Sequence, residues 1–170
     1  MGKRDEKAGL LTGILFVIYL AALVWIILFK MALSPEQLSH LRSINLIPYG
    51  SSAIVNGKLD VTELFYNVLA FVPLGIYLSM IMSKKGFLKK VAMIAGVSLL
   101  LEVLQYILAV GTSDITDLIN NTIGGIIGVL IYLFLYFLLG RRTNKFLKKV
   151  ALICTVLMIC LIAVLIFSNL

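Results

Sequence analysis

The chemistry of this sequence lies in polar side chains set inside long apolar runs. These are Asn67, Glu102 with Gln105, and Asn120 with Asn121. Asp114 and Asp117 stand where the run holding the two asparagines begins. Such residues are rare in hydrocarbon, because a central charge costs about 2.5–3.5 kcal/mol even on the lenient scale. Paired carboxylates do acid–base work or hold a divalent cation, which makes Glu102, Asp114 and Asp117 the catalytic candidates. A plainer use is structural, since asparagines that bond across helices are ordinary glue. Glu102 fits that use least well. It must be protonated, paired or hydrated, and no Lys or Arg shares its depth. No nucleophile–His–Asp pattern is present, and the single histidine, His40, reads as a loop surface residue.

Depth along the helices brings these groups together. At about 1.5 Å rise per residue, Asn67 lies about 6 Å below the outer start of its helix, Glu102 about 12 Å and Asn121 about 6 Å. The same groups also share faces. Glu102 and Gln105 are i and i+3. Asp117, Asn121, Gly124 and Gly128 form one stripe, as do Asn67, Phe71, Leu74 and Leu78. Packing these stripes predicts a polar pocket open to the outer surface, with Asn67, Glu102, Gln105, Asp114, Asp117 and Asn121 as binding candidates. Pro73 and Gly75 sit where they could bend their helix.

The elements that must position these groups are membrane helices. Of 170 residues, 61% are hydrophobic and 14% charged, with a mean hydropathy of +1.08. A soluble domain averages about 45–50% apolar. Five runs approach the ~20 apolar residues needed to span: 9–29, 63–82, 87–110, 117–139 and 146–167. Backbone groups in lipid must bond within their segment, so these are helices. The first run is longer than a signal-peptide core, and no small-residue cleavage pattern follows it, so it reads as a retained helix. The expected fold is one all-α domain over 1–170: a polytopic membrane helix bundle with five transmembrane helices.

Lys and Arg set the orientation. They cluster at Lys3, Arg4 and Lys7, again at Lys84, Lys85, Lys89 and Lys90, and again at Arg141, Arg142, Lys145, Lys148 and Lys149. Alternate connections are basic, which puts the N-terminus in and the C-terminus out. Local signals agree. Asp60 with Glu63 resembles a capping box, and Gly86 suits the stop of the second helix. Ser113 or Asp114 can cap the fourth helix, whose first turn holds Asp117. Gly124 and Gly128 make a small-xxx-small pair suited to a close helix contact.

The net charge of +7 serves topology and contact with anionic lipid. No basic face with interleaved aromatics suggests nucleic acid. Cys154 and Cys160 point in different directions on one helix and read as small core residues. No Cys/His spacing suggests zinc, so no metal or other cofactor is expected unless the carboxylates hold a divalent cation for catalysis. The connection 32–62 is long enough to be functional, and Leu38, Leu41 and Ile44 would suit a short helix on the outer leaflet. There is no internal repeat or low-complexity segment.

Four stretches resemble the VanZ-like membrane protein family. They are Asn45-Leu46-Ile47-Pro48-Tyr49; Asn67-Val68-Leu69-Ala70-Phe71-Val72-Pro73-Leu74-Gly75; Glu102-Val103-Leu104-Gln105; and the run from Asp114 through Asp117 and Asn121-Thr122 to Gly124. They match, in order, the family's N-L-I-P-F/Y, N-x-x-x-F-x-P-x-G, E-x-x-Q and D-x-x-D-x-x-x-N-T-x-G. The chain departs in carrying Thr112 and Ser113 where many relatives have a basic or aromatic residue, and in its fifth apolar segment. The resemblance implies resistance to glycopeptide antibiotics, teicoplanin in particular, in a bacterial plasma membrane, and adds Asn45 to the binding candidates.

Three functions follow as expectations. In the first, the outward pocket engages a lipid-linked cell-wall precursor or a lipoglycopeptide without catalysis. In the second, an intramembrane enzyme acts on a lipid or lipid-phosphate headgroup through Glu102, Asp114 and Asp117. In the third, the bundle scaffolds a membrane partner. Membrane lipids surround the chain in each case, and nothing in the sequence fixes an oligomeric state.

Overall fold

The structure is a computed structural model that describes residues 3–29, 42–49, 54–55, 58–59 and 61–168. It is mostly helical. The helices are α1 (Lys3–Phe29), α2 (Val61–Ile81), α3 (Phe87–Leu108), α4 (Ile115–Leu139) and α5 (Thr143–Ser168). The strands are short: β1 (Arg42–Asn45), β2 (Ile54–Val55), β3 (Lys58–Leu59) and β4 (Gly111–Asp114). β1 pairs with β4 in parallel and β2 with β3 antiparallel.

Four helical stretches are long and apolar enough to cross a membrane: Gly9–Phe29, Val61–Ile81, Phe87–Leu108 and Ile115–Val164. The fourth covers 50 residues. At 1.5 Å per residue it would reach about 75 Å, more than twice a bilayer's apolar core. A 3-10 turn at Gly140–Arg142 divides it into α4 and α5. Gly140 takes a φ of +54°, which costs glycine little. Thr143 Oγ1 then donates to the carbonyls of Gly140 (2.9 Å) and Leu135 (3.0 Å). The hydroxyl shares its proton between them and, with the Thr143 N–H on the Gly140 carbonyl, closes the turn between α4 and α5.

The chain divides into two compact units, one over Ala22–Leu133 and one made of Met1–Ala21 with Phe134–Leu170. In the second unit Leu15, Thr143 and Leu147 are buried. Cys154 and Cys160 are free and exposed on α5, which corrects their expected role as packed core residues.

The first unit holds the fold's closest packing. Phe71, Leu74 and Leu78 of α2 are buried, as the stripe predicted. α2 runs through Pro73 without interruption. A methyl group built on Gly124 would overlap the Val68 carbonyl, one on Gly128 the Val72 carbonyl, and one on Gly75 the Gly125 carbonyl. The pairs 68/124 and 72/128 keep one offset, so α2 and α4 run in the same direction. The small-xxx-small pair is therefore a backbone-to-backbone seam. Exposed faces of α3 and α4 carry Leu88, Leu99, Leu130 and Phe134, the surface that a lipid solvent requires.

Two local expectations change. α2 ends at Ile81, and Gly86 is instead the residue before α3, with extended backbone (φ −64°, ψ 160°). Ile44 lies in β1, opposite Ser113 of β4, not in a leaflet-bound helix. Leu38, Leu41, His40 and Asp60 lie outside the described residues.

Candidate functional site

The chain's polar groups gather at one end of α2 and α4 and fall into separate clusters, all within Ala22–Leu133. The first cluster locks the loop before α4. α3 closes with Ala109 in left-handed backbone and the Val110 N–H on the Gln105 carbonyl, 3.2 Å away. That turn sends the chain into β4. Register places Asn45 opposite Asp114.

Asp114 then makes three bonds. Its Oδ1 accepts from the Thr116 N–H at 2.8 Å, an N-cap on α4. Its Oδ2 accepts from Asn45 Nδ2 at 3.1 Å. Its own N–H donates to Glu102 Oε2 at 2.9 Å. Glu102 thus holds the strand from behind, and its Oε1 accepts no bond among the described residues.

The N-L-I-P-Y segment continues the lock. The Ile47 N–H donates to Asn45 Oδ1 at 3.1 Å, forming a local turn. Tyr49, at φ +54°, donates its N–H to Thr116 Oγ1 (2.9 Å) and its hydroxyl to Asn120 Oδ1 (3.3 Å). Arg42 donates to the Ile107 carbonyl at the end of α3 (3.1 Å) and stacks over Tyr106, 5.6 Å from the ring centre. Sequence reasoning assigned no role to Tyr49, Thr116 or Arg42, because a parallel pairing across 69 residues leaves no local signal.

The second cluster faces a cavity of about 710 Å3, within the usual range for small-molecule sites. Asn67 Nδ2 donates to Asp117 Oδ1 at 2.7 Å, joining α2 to α4. Gln105 of α3 lines the same space, and Ile26 and Ile27 of α1 close one side. Glu63 and Tyr66 complete the polar wall. Neither was a binding candidate. A signal existed, since Glu63, Tyr66, Asn67 and Ala70 follow i, i+3, i+4 and i+7 on one face. Reading Glu63 only as a cap hid it. Both Glu63 and Asp117 fall in the first turns of their helices, where the dipole favours a carboxylate.

Asn121 belongs to neither cluster. It is fully buried and donates to Ser98 Oγ at 3.0 Å, linking α4 to α3. This is a helix staple, the plainer use weighed from sequence. Ser98→Ala is expected to cost about 1 kcal/mol, because it strands a buried amide whose Oδ1 already accepts no bond among the described residues. The midpoint of reversible unfolding in mixed micelles measures it.

The three carboxylates bond different partners. Glu102 serves a strand amide, Asp114 caps α4, and Asp117 pairs with Asn67. Among the described residues no group of three or more His, Cys, Asp or Glu stands together in a way that could hold a metal ion.

Several spanning helices around these clusters define the class: a multi-pass helical membrane protein. Residues 16–136 match the VanZ/LLP1 family. Protein VanZ of Enterococcus faecium is 35% identical over 153 residues, covering 88% of this chain and 89% of that protein. The chain belongs to the VanZ/LLP1 family. No solved structure matches it.

Proposed function

We propose that this protein acts in the bacterial plasma membrane to protect against glycopeptides, teicoplanin in particular, by engaging a ligand at the outer leaflet. The ligand is a lipoglycopeptide or a lipid-linked cell-wall precursor. The observation that carries this reading is the Asn67–Asp117 pair, which with Gln105, Thr62, Glu63 and Tyr66 forms the polar wall of a cavity whose other lining, Ile26, Ile27, Leu69 and Ala70, is apolar. Such a lining suits an amphiphile, and membership of the VanZ/LLP1 family supports the role in resistance.

The topology goes with it. α4 and α5 cross separately, giving five spans with the N-terminus in the cytoplasm. The basic clusters then lie inside, and the first turns of α2 and α4, with their carboxylates, face out.

The test is teicoplanin and vancomycin susceptibility of a Gram-positive host expressing wild type, Asp117→Asn or Glu102→Gln at matched membrane levels. Wild type is expected to protect and Asp117→Asn to lose most of the protection. Glu102→Gln is expected to keep more, because an amide oxygen can still accept from the Asp114 N–H. No protection by wild type sinks the proposal. Equal protection by all three points to a scaffold instead.

A further inference from the structure

The cavity at the heads of α2 and α4 has a polar wall of Thr62, Glu63, Tyr66, Asn67, Gln105 and Asp117. Two of its lining residues, Glu63 and Asp117, are carboxylates, and no Lys, Arg or His is among the described residues around it. One N–H of the Asn67 amide goes to Asp117.

Gln105 supplies an independent observation. It is 3% exposed, and its Nε2 donates to the Ile27 carbonyl at 3.0 Å. That bond fixes the side chain of this cavity-lining residue, and its buried Oε1 accepts no bond among the described residues. A buried acceptor left unmatched costs free energy that a donor from a ligand would recover. Ile26, Ile27, Leu69 and Ala70 make the rest of the wall apolar.

A group that brings several donors at once beside two carboxylates is an ammonium with its three N–H donors. A phosphate or pyrophosphate would bring like charge and no donors. We infer that this cavity takes the protonated amine of an amphiphile, with the apolar body against α1 and α2 and the amine among Glu63, Asp117 and Gln105. The inference rests on the reading of the cavity as a ligand site and adds the ligand's chemical class. It assigns any anionic headgroup of that ligand to a place outside the cavity.

The same chemistry has two sources, an amine-bearing lipid and an amine-bearing lipoglycopeptide. The experiment measures equilibrium binding of radiolabelled dodecylammonium to the full-length protein in dodecyl maltoside micelles, beside N-dodecylacetamide and dodecyl phosphate. Dodecylammonium is expected to bind saturably and about tenfold tighter than the neutral amide, as one charge-assisted bond allows. Dodecyl phosphate is expected not to bind. Asp117→Asn and Glu63→Gln are each expected to weaken dodecylammonium by about tenfold; Glu63 sits on a partly exposed first turn, where the substitution leaves the fold intact.

Equal binding of ammonium and amide, tighter binding of the phosphate, or indifference to both substitutions overturns the inference. Phosphatidylethanolamine and an amine-bearing lipoglycopeptide, each beside its N-acetylated form, then compete for the bound probe. Displacement by one of them supports the inference and identifies the source. Displacement by neither overturns it. Ammonium selectivity without antibiotic protection refutes the resistance role alone, while protection that depends on Asp117 without ammonium selectivity refutes the ligand class alone.

Discussion

Replacing Gly128 with leucine is expected to drive α2 away from α4 and to cost about 3 kcal/mol or more, at the upper end for overpacking. The reason is what the new side chain would meet. A methyl group on Gly128 already overlaps the Val72 carbonyl and lies 3.1 Å from the Gly75 Cα. These are backbone atoms in helical register, so no rotamer change relieves the clash. Moving the helices apart would uncover Phe71 and Leu74, which are fully buried, and would stretch the 2.7 Å Asn67–Asp117 bond one end of the seam holds. Gly96→Leu is the matched control, because nothing lies within 4 Å of a methyl group there. Unfolding midpoints in mixed micelles decide the matter. A Gly128→Leu protein as stable as Gly96→Leu would show that the α2–α4 seam does not hold the fold.

How much of this was legible follows from the range of each interaction. Helices announce themselves through apolar length, so the span at 9–29 agrees with Gly9–Phe29 and the next two begin or end within a few residues of those expected. Face periodicity placed Phe71, Leu74, Gly124 and Gly128 at an interface, because i, i+3 and i+4 relations are local. The β1–β4 pairing was invisible. Arg42–Asn45 and Gly111–Asp114 are short, polar and far apart in sequence, and neither alternates as a half-buried strand would. Missing that pairing changed the reading of the carboxylates. Placed by depth, Glu102, Asp114 and Asp117 looked like one site. In the structure Glu102 and Asp114 bond backbone groups while Asp117 bonds Asn67 at the cavity. Asn121 has a partner never weighed from the sequence: Ser98 on α3 takes its amide.

That division makes Asp114 the most consequential polar side chain in the loop. Asp114→Ala removes the N-cap of α4, worth about 1 kcal/mol. It also removes the 3.1 Å acceptor for Asn45 Nδ2, which donates as well to the Ile47 carbonyl at 3.3 Å. Adding about 1–2 kcal/mol for the partly buried amide gives an expected loss of about 2–3 kcal/mol, shared between α4's first turn and the segment 42–49. Hydrogen exchange separates these shares. The amides of Thr116 and Ile47 should exchange faster in the variant, while those in the middle of α4 should not. Asp114→Asn preserves a capping oxygen, since asparagine caps as well as aspartate, but it presents an NH2 to Asn45 where a carboxylate oxygen stood. Its Thr116 amide should therefore stay protected while the one at Ile47 loosens. Because Asp117 begins the cavity only three residues beyond this cap, the same variant should shift the Asn67–Asp117 pair and weaken ligand binding without touching a lining residue. Binding that survives Asp114→Ala unchanged would mean that the cavity wall is held by the helix seam alone and that the strand pairing serves the loop, not the site.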